Sequence, residues 1–285
     1  MKPARVPAVV SIAMVTVVFL GAWQWPMNPE AIETGFGLAT SASTMLRGVE
    51  FAGEGEDVVA ASDGTIVFRD SRLQDAHAPG RSGGIVILDH DNGWRTIYSG
   101  LKPEGLAAGE RVLEGRSIGT AGANGARSEI YDRRTGFYVN PLTLLPVRDI
   151  ESEAQISGIR LVSVDDEDSE SLVPSFNRVS HRSGETEIRV QIGGDAGATA
   201  VALTRGGSTF GELLLERIEP GDPDQMVWDG GGRSADGLFD GNGWLRLTTV
   251  TVPENGSVSF TARVRNARGE ETTRVFTIDG VPREE

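Results

Sequence analysis

The sequence contains no cysteine in its 285 residues. This absence excludes disulfide bonds, thiolate metal sites and cysteine nucleophiles, so apolar burial and hydrogen bonds must hold the fold together. Histidine is almost as scarce, because only His77, His90 and His181 occur. The three are far apart in the sequence and form no metal-binding pattern, so each is interpreted as a structural or surface residue.

Positive charge is also scarce, since 27 lysine and arginine residues face 41 aspartate and glutamate residues, for a formal net charge of −14. A nucleic-acid-binding protein must neutralise phosphates with basic side chains, so this balance argues against a nucleic-acid partner. Helical periodicity is missing beyond the N-terminus, whereas 37 glycines punctuate short apolar runs. The composition predicts an all-β protein of about two domains.

The N-terminus carries a long apolar run. Lys2 and Arg5 precede the uncharged segment 6–23, and no further charge occurs before Glu30. As a helix, this segment would span about 27 Å, slightly less than the hydrocarbon core of a bilayer. Residues 1–27 are therefore predicted to be a hydrophobic helix that serves as a signal peptide or a membrane anchor. The rest of the chain is expected to be exported to the periplasm or cell surface, with an inner-membrane tether as one alternative.

Residues 31–148 have the pattern of a β domain with frequent turns. Two hairpins are predicted, at Asp63-Gly64 and at Asn92-Gly93, because these dipeptides separate apolar runs. Segment 109–122 predicts another pair of strands around glycines. Such short antiparallel units imply a β-sandwich or partly open barrel.

The composition changes after this region. Residues 149–172 are predicted to be an acidic linker, because their five clustered carboxylates lack the spacing of a calcium loop and suit a solvated segment. Residues 173–281 are predicted to form an immunoglobulin-like β-sandwich that turns at 266–269 before its last strand. Its strands are indicated by alternating apolar and polar residues in segments 186–192, 199–205, 243–252, 258–266 and 272–279.

Several segments of the first region occur in a recognisable order: GFG (35–37), RGVEFAG (47–53), ASDGTIVF (61–68), GGIVILDHDNGWRTIYSGL (83–101), GERVLEGRSIGTAG (109–122) and YVNPL (138–142). Together they resemble the lysostaphin-type (LytM-like) zinc endopeptidases, which cut peptidoglycan cross-bridges. The resemblance covers roughly residues 31–146. It implies a β scaffold with one zinc site, assembled from an H-x-x-x-D motif, a Tyr-x-His-Leu segment and a late H-x-H motif.

The sequence departs from the family pattern at each of these motifs. The resemblance places Leu46 and Glu50 where the family has its first two zinc ligands, and Glu129 where it has the third. It places Gly100 and Arg127 where the catalytic histidines stand. A one-residue slip in the last motif would not restore it, because the surrounding sequence contains no histidine.

These replacements predict that zinc, the family's cofactor, is absent. A catalytic zinc needs three protein ligands and an open position for water, whereas leucine offers no lone pair and arginine brings a permanent charge. Arg127 is instead predicted to lie between Glu50 and Glu129 in a salt-bridge cluster within the vacated groove. The alternative is that drift left three unconnected surface charges.

Two further groups of residues are weaker candidates. Tyr98, Tyr131 and Tyr138, together with Trp94, are possible linings of a groove for glycan or peptide, although aromatic residues at strand spacing also serve packing. Segment GERVLEGRSIG (109–119) also resembles the hairpins of biotinyl and lipoyl domains. The only lysine beyond the leader, Lys102, precedes a proline, which disfavours a role as an attachment point.

The leading hypothesis is an exported, non-catalytic protein with a LytM-like peptidase fold. It would bind peptidoglycan or regulate a murein hydrolase, and would contact the membrane through its N-terminal helix. Whether the chain is an enzyme is left open, with the residue replacements weighing against it. The alternative is an active zinc metalloendopeptidase that cuts peptidoglycan cross-bridges with an atypical site.

Overall fold

A computed structural model describes residues 23–37, 39–41, 44–71, 83–146, 154–193, 198–219, 227–228, 238–240, 243–266 and 269–282. His77 and residues 1–22 of the predicted N-terminal helix lie outside these residues. For residues 23–27 the helix prediction is wrong, because this segment is non-helical and its Trp23, Trp25 and Met27 pack in the core of the N-terminal sheet. Among the described residues, no helix has the length and apolar character needed to cross a bilayer.

Strands make up nearly all the regular structure, which confirms the predicted all-β class. The first twelve are β1 (Ile32–Thr34), β2 (Ala39–Ser41), β3 (Thr44–Met45), β4 (Gly48–Phe51), β5 (Asp57–Val59), β6 (Gly64–Asp70), β7 (Gly84–Asp89), β8 (Trp94–Pro103), β9 (Arg111–Val112), β10 (Ser117–Ala121), β11 (Ala126–Asp132) and β12 (Phe137–Val139). Short 3-10 helices at Pro29–Ala31 and Pro141–Thr143 flank this set.

The remaining strands are β13 (Gln155–Ser163), β14 (Asp166–Leu172), β15 (Arg178–Arg182), β16 (Gly184–Gly193), β17 (Ala198–Arg205), β18 (Ser208–Leu214), β19 (Arg217–Glu219), β20 (Val227–Trp228), β21 (Leu245–Val252), β22 (Ser257–Asn266) and β23 (Glu271–Val281).

The N-terminal sheet is centred on β11. One edge of β11 pairs with β8, while the opposite edge pairs first with β4 and then with β12. The sheet continues from β8 through β7 and β6 to β9, and β10 joins β5 to β8. Six of the seven residues of β11 are buried, so this strand lies inside the domain rather than at a wet edge.

The sequence-based hairpins have mixed outcomes. The Asn92-Gly93 hairpin is confirmed, because β7 and β8 pair directly. The Asp63-Gly64 hairpin is wrong, since β5 pairs with β10 while β6 pairs with β7 and β9. Segment 109–122 likewise holds two strands that pair elsewhere, β9 with β6 and β10 with β5 and β8.

Hydrogen bonding explains why β5 and β6 separate. The Val59 N–H donates to the Pro26 carbonyl at 2.9 Å, and the Ala60 N–H donates to the Arg116 carbonyl at 2.9 Å. The Ala61 N–H donates to the Tyr98 hydroxyl, also at 2.9 Å. The backbone N–H groups that would pair β5 with β6 in a hairpin therefore already donate to other acceptors.

The C-terminal sandwich has a four-stranded sheet, β14-β13-β16-β21, and a five-stranded sheet, β15-β23-β22-β17-β18. Residues of both sheets share one hydrophobic core, which confirms the sandwich prediction. All five predicted strand segments fall within β16, β17, β21, β22 and β23 or extend two residues beyond them.

The loop prediction for the acidic segment is wrong. Residues 155–163 and 166–172 form β13 and β14, which pair with each other in the sandwich. Ile156, Ile159 and Leu161 lie in its core, whereas most residues of β14 are at least partly exposed. The prediction that the acidic cluster is solvated is thus confirmed, but most of its residues lie in an edge strand rather than in a linker.

The N-terminal sheet and the sandwich are joined directly. Strand β19 pairs with β12, so the chain that connects β18 to β21 extends the N-terminal sheet. Ile218, in β19, and Phe36 both pack in the sandwich core. The two parts therefore share backbone pairing as well as side-chain packing.

Candidate functional site

The candidate site lies where β4, β11 and β8 run side by side. Arg127 of β11 lies opposite Glu50 of β4 and opposite Ser99 of β8, while Glu129 lies opposite Gly48. Residues 127 and 129 are two apart in a strand, so their side chains project from the same face. The register therefore brings the predicted trio together.

Arg127 lies between the two carboxylates. Its Nη2 and Nε donate to Oε1 of Glu50 at 2.7 and 3.2 Å. Its Nη1 lies 3.6 Å from Oε1 of Glu129. The three side chains are 8% exposed or less, which confirms the salt-bridge cluster and contradicts the reading of unconnected surface charges.

Arg47 completes the cluster, and sequence reasoning missed it. Its Nη2 lies 3.5 Å from Oε1 of Glu129, and its Nη1 donates to the Tyr138 hydroxyl at 3.3 Å. The guanidinium carbon also lies 4.6 Å from the centre of the Tyr138 ring, a cation–π distance. The contact depends on Glu129 facing the start of β4, which no local sequence pattern reveals.

The charges of this buried cluster balance. Two arginines and two glutamates alternate along it, so each carboxylate is compensated by a guanidinium. Removing one partner would leave a buried charge uncompensated, which costs far more than an exposed ion pair gains. These four side chains thus form a buried ion-pair network.

Comparison with known proteins relates part of the chain to a family. Residues 44–138 match the model of Peptidase family M23. We refer to these residues as the M23 domain. The chain is also similar to the lipoprotein NlpD/LppB homolog of Pseudomonas aeruginosa, with 31% identity over 133 residues, 45% of this chain and 41% of that protein.

Two further matches also cover less than half of this chain. The murein hydrolase activator NlpD of Escherichia coli is 28% identical over 133 residues, 45% of this chain and 32% of that protein. The catalytic domain of lysostaphin from Staphylococcus simulans is a solved structure 23% identical to this chain, with a TM-score of 0.31, covering 36% of this chain and 80% of that one. The chain spans less than half the length of both curated relatives.

Position 100 of the M23 domain cannot carry an imidazole in this backbone. Gly100 has a φ of 78°, in the left-handed region that favours glycine. A Cβ added there would lie 2.9 Å from the Gly125 carbonyl oxygen. The backbone at position 100 therefore favours glycine over any residue with a side chain.

Position 46 is also unsuited to ligation. Leu46 is 1% exposed, and as an aliphatic side chain it has no donor atom for a metal. Next to it, a Cβ at Gly48 would lie 2.1 Å from the Ser128 carbonyl oxygen, so glycine is what lets β4 approach β11. This close approach sets the spacing between Glu50 and Arg127.

The residues of the site do not fit a catalytic zinc. Glu50 and Glu129 already face the Arg127 guanidinium, whose permanent charge would repel a divalent cation. Across the described part of the chain, no group of three histidine, aspartate or glutamate residues is arranged to hold a metal ion. The cluster offers charge compensation rather than ligation.

The aromatic groove stays a prediction for Tyr131 and Tyr138 but not for Tyr98. Tyr98 is fully buried and its hydroxyl accepts from the Ala61 N–H, so its assignment to a groove is wrong. Burial raises the pKa of Tyr98 to about 12. Tyr131 and Tyr138 are half-buried with ring centres 5.1 Å apart, and Tyr138 also packs against the sandwich core.

The described histidines have structural roles. His90 Nδ1 lies 2.7 Å from the Asp63 carbonyl and Nε2 lies 3.0 Å from the Thr96 hydroxyl, so both ring nitrogens are engaged. His181 lies between the hydroxyls of Ser163 and Ser171 at 3.3 and 3.0 Å. Burial lowers the pKa of both imidazoles, which favours their neutral forms.

The remaining candidates also have packing roles. Trp94 makes an edge contact with Trp23, and the Arg134 guanidinium lies 4.8 Å from its ring centre. Lys102 lies within β8, opposite Thr120, rather than at a hairpin turn. That position disagrees with the exposed turn that a carrier-domain lysine requires.

Proposed function

We propose that this chain is a non-catalytic M23 protein that binds peptidoglycan or regulates a cell-wall hydrolase. The observation that carries the proposal is the guanidinium of Arg127, 2.7 Å from Glu50 and 3.6 Å from Glu129. A zinc-activated water needs an open coordination position and a cation held by ligands. Here the two carboxylates are used by arginine.

The energetics of metal entry support the same proposal. Zinc would have to displace Arg127 from both glutamates and leave that guanidinium buried without its partners. Such a loss typically costs several kcal/mol. Two oxygen ligands offer little in return, because zinc prefers sites with nitrogen or sulfur ligands.

The name of one relative suggests a role for this chain. NlpD of Escherichia coli is named a murein hydrolase activator. By analogy, the partners proposed here are peptidoglycan and a murein hydrolase, and the site of action is the periplasm or cell surface. The apolar segment 6–23 is proposed to direct export, as a signal peptide or as an anchor in the inner membrane.

The test uses the full chain purified in a mild detergent. Its zinc content is measured by plasma mass spectrometry, and its release of fragments from purified sacculi is followed with and without chelator. Sacculus pull-down and stimulation of a purified cell-wall amidase are measured in parallel. The expected result is substoichiometric zinc, no cleavage, and either sacculus binding or amidase stimulation.

Two outcomes would reject the proposal. Stoichiometric zinc with chelator-sensitive cleavage would establish the alternative, an active metalloendopeptidase with an atypical site. Absence of zinc, cleavage, binding and stimulation together would remove both regulatory versions.

A further inference from the structure

A polar groove opens in the C-terminal sandwich, far from the M23 cluster in sequence. It encloses about 470 Å³ where β13 and β23 begin. The loop 173–177 forms part of its lining as it passes from β14 in one sheet to β15 in the other. Its volume lies within the range of about 300–1,000 Å³ that is usual for small-ligand sites. We call this feature the sandwich groove.

The lining of the sandwich groove is rich in neutral hydrogen-bonding groups. Two carboxamides contribute, Gln155 and Asn177. Four hydroxyls do so as well: Ser157, Ser175, Thr272 and Thr273. Among the described residues that line it, none is acidic and Arg274 alone is charged. This is unusual for a chain with 41 acidic residues.

Arg274 is held in place by neutral acceptors. Its Nε donates to the Asn177 side-chain oxygen at 2.8 Å, and its Nη2 donates to the carbonyls of Val173 and Pro174 at 3.1 and 3.0 Å. Asn177 has a φ of 60°, and its N–H donates to the Pro174 carbonyl at 2.9 Å. The loop is therefore folded around the guanidinium, which fixes its orientation.

The positive charge of Arg274 is not neutralised within the described part of the chain, where its guanidinium bonds to no carboxylate. Other arginines of the sandwich do face carboxylates: Arg160, Arg178, Arg182, Arg189, Arg246, Arg263 and Arg265. An oriented guanidinium with free N–H groups is suited to bind a carboxylate of a ligand.

We propose that the sandwich groove binds a carboxylate-bearing fragment of peptidoglycan. A disaccharide–peptide carries sugar hydroxyls and amides, which match the hydroxyls and carboxamides of the groove, and free carboxylates, which match Arg274. Phe176 of loop 173–177 is 76% exposed but is not one of the lining residues, so the proposal does not depend on it. The inference rests on the peptidoglycan-binding arm of the proposed function and assigns it to the second domain.

Binding is measured by isothermal titration of the full chain with a soluble disaccharide–tetrapeptide. The same ligand with its carboxylates amidated is titrated in parallel. Arg274→Gln removes the charge, and Thr273→Glu places a carboxylate at an exposed position opposite Arg263 in register. The matched control is Arg178→Gln, because Arg178 is 60% exposed and already pairs with Asp279.

The expected result is saturable binding by the natural protein and the control. Amidation, Arg274→Gln and Thr273→Glu should each weaken affinity by about tenfold or more, the usual effect of losing a charge-assisted contact. Arg274→Gln could weaken binding by disordering loop 173–177. Thr273→Glu controls for this effect, because it leaves every hydrogen bond of Arg274 in place.

Three outcomes would overturn the sandwich groove as a site: no saturable binding, equal affinity for the amidated ligand, or equal affinity of Thr273→Glu and the natural protein. Amidase stimulation is measured on the same samples. Stimulation without ligand binding would reject the groove and leave the regulatory function intact. Ligand binding together with stoichiometric zinc and cleavage would support the groove and reject the non-catalytic assignment.

Discussion

At the scale of single residues, the main feature of the M23 domain is a set of buried charged side chains. Arg127 and Glu129 are 3% and 1% exposed, so water cannot compensate either side chain. Replacing Arg127 would leave Glu50 and Glu129 facing each other across the space that the guanidinium fills. The same carboxylates that would be poor zinc ligands are therefore essential acceptors for arginine.

The variant Arg127→Gln tests this dependence. We expect the free energy of unfolding to fall by about 3–5 kcal/mol, as when one member of a buried ion pair is removed. Urea denaturation followed by tryptophan fluorescence measures the change. Arg111→Gln, at an exposed pair, should change the same quantity by less than about 1 kcal/mol. Equal effects of the two variants would mean that the buried cluster contributes no more than a surface ion pair.

Gly100 and Gly109 both have a positive φ, so they can be compared directly. Gly100→Ala must adopt a positive φ and bring its Cβ to 2.9 Å from a backbone oxygen, whereas Gly109→Ala meets the same φ penalty with nothing within 4 Å. We expect Gly100→Ala to be less stable than Gly109→Ala by about 1–3 kcal/mol, the cost of overpacking. Matching urea midpoints for the two variants would show that the loop at 100 relaxes freely.

Strand pairing explains how much of the fold was predictable from sequence. The alternation in β22 and β23 was legible because one face of each strand is buried and the other is wet, whereas β17 has six consecutive buried residues and is marked by its apolar run instead. The hairpin prediction at Asp63-Gly64 failed because a turn dipeptide indicates the local backbone geometry, but does not determine which strand the following strand pairs with. The separation of β5 from β6 depends on distant acceptors such as the Tyr98 hydroxyl.

The candidate site shows the same limit. The Arg127 trio was predictable because the resemblance fixed which positions converge, and residues 127 and 129 share a strand face. Arg47 was not, since its contact with Glu129 depends on three-dimensional register. Tyr98 was misassigned because strand spacing alone cannot tell a groove-facing ring from one in the core.

At the scale of elements, Asn140 links the strand pair β12–β19 to the rest of the chain. Its Nδ2 donates to the Leu215 carbonyl at 3.1 Å and to the Ala198 carbonyl at 3.5 Å. Its Oδ1 accepts from the Leu142 N–H at 3.1 Å and caps the 3-10 helix. A fully buried side chain thus connects the M23 domain to the sandwich.

We expect Asn140→Ala to lower the free energy of unfolding by about 2–3 kcal/mol, because it leaves buried carbonyls without donors and removes the helix cap. Calorimetry should also show the van't Hoff enthalpy falling below the calorimetric enthalpy, as the two parts begin to unfold separately. Asn92→Ala, at an exposed turn, is the control. If the ratio of van't Hoff to calorimetric enthalpy is the same in Asn140→Ala as in the natural protein, then the β12–β19 pairing alone makes the M23 domain and the sandwich unfold together.

At the scale of the whole molecule, residues 23–27, at the end of the apolar run, are part of the core of the N-terminal sheet. Trp23 packs edge-on against His90 and Trp94, with ring centres 5.2 and 6.2 Å away. Trp25 is 7% exposed and its indole N–H donates to the Pro146 carbonyl at 2.8 Å. The segment therefore fastens the beginning of the described chain to the end of the N-terminal sheet.

A chain shortened to begin at residue 28 should lose this packing, although it keeps every strand. Since burial of a tryptophan side chain is worth about 3–5 kcal/mol, removing Trp23 and Trp25 together should lower the unfolding temperature by at least about 10 °C. A chain that begins at residue 23 is the control and should match the full protein.

The variant Trp25→Phe tests the indole hydrogen bond separately from the packing of the ring. We expect it to lower the free energy of unfolding by about 1–3 kcal/mol, because the Pro146 carbonyl loses its donor. Equal unfolding temperatures for the chains beginning at 23 and 28 would show that the segment adds nothing to the domain, and that the sheet closes its own core.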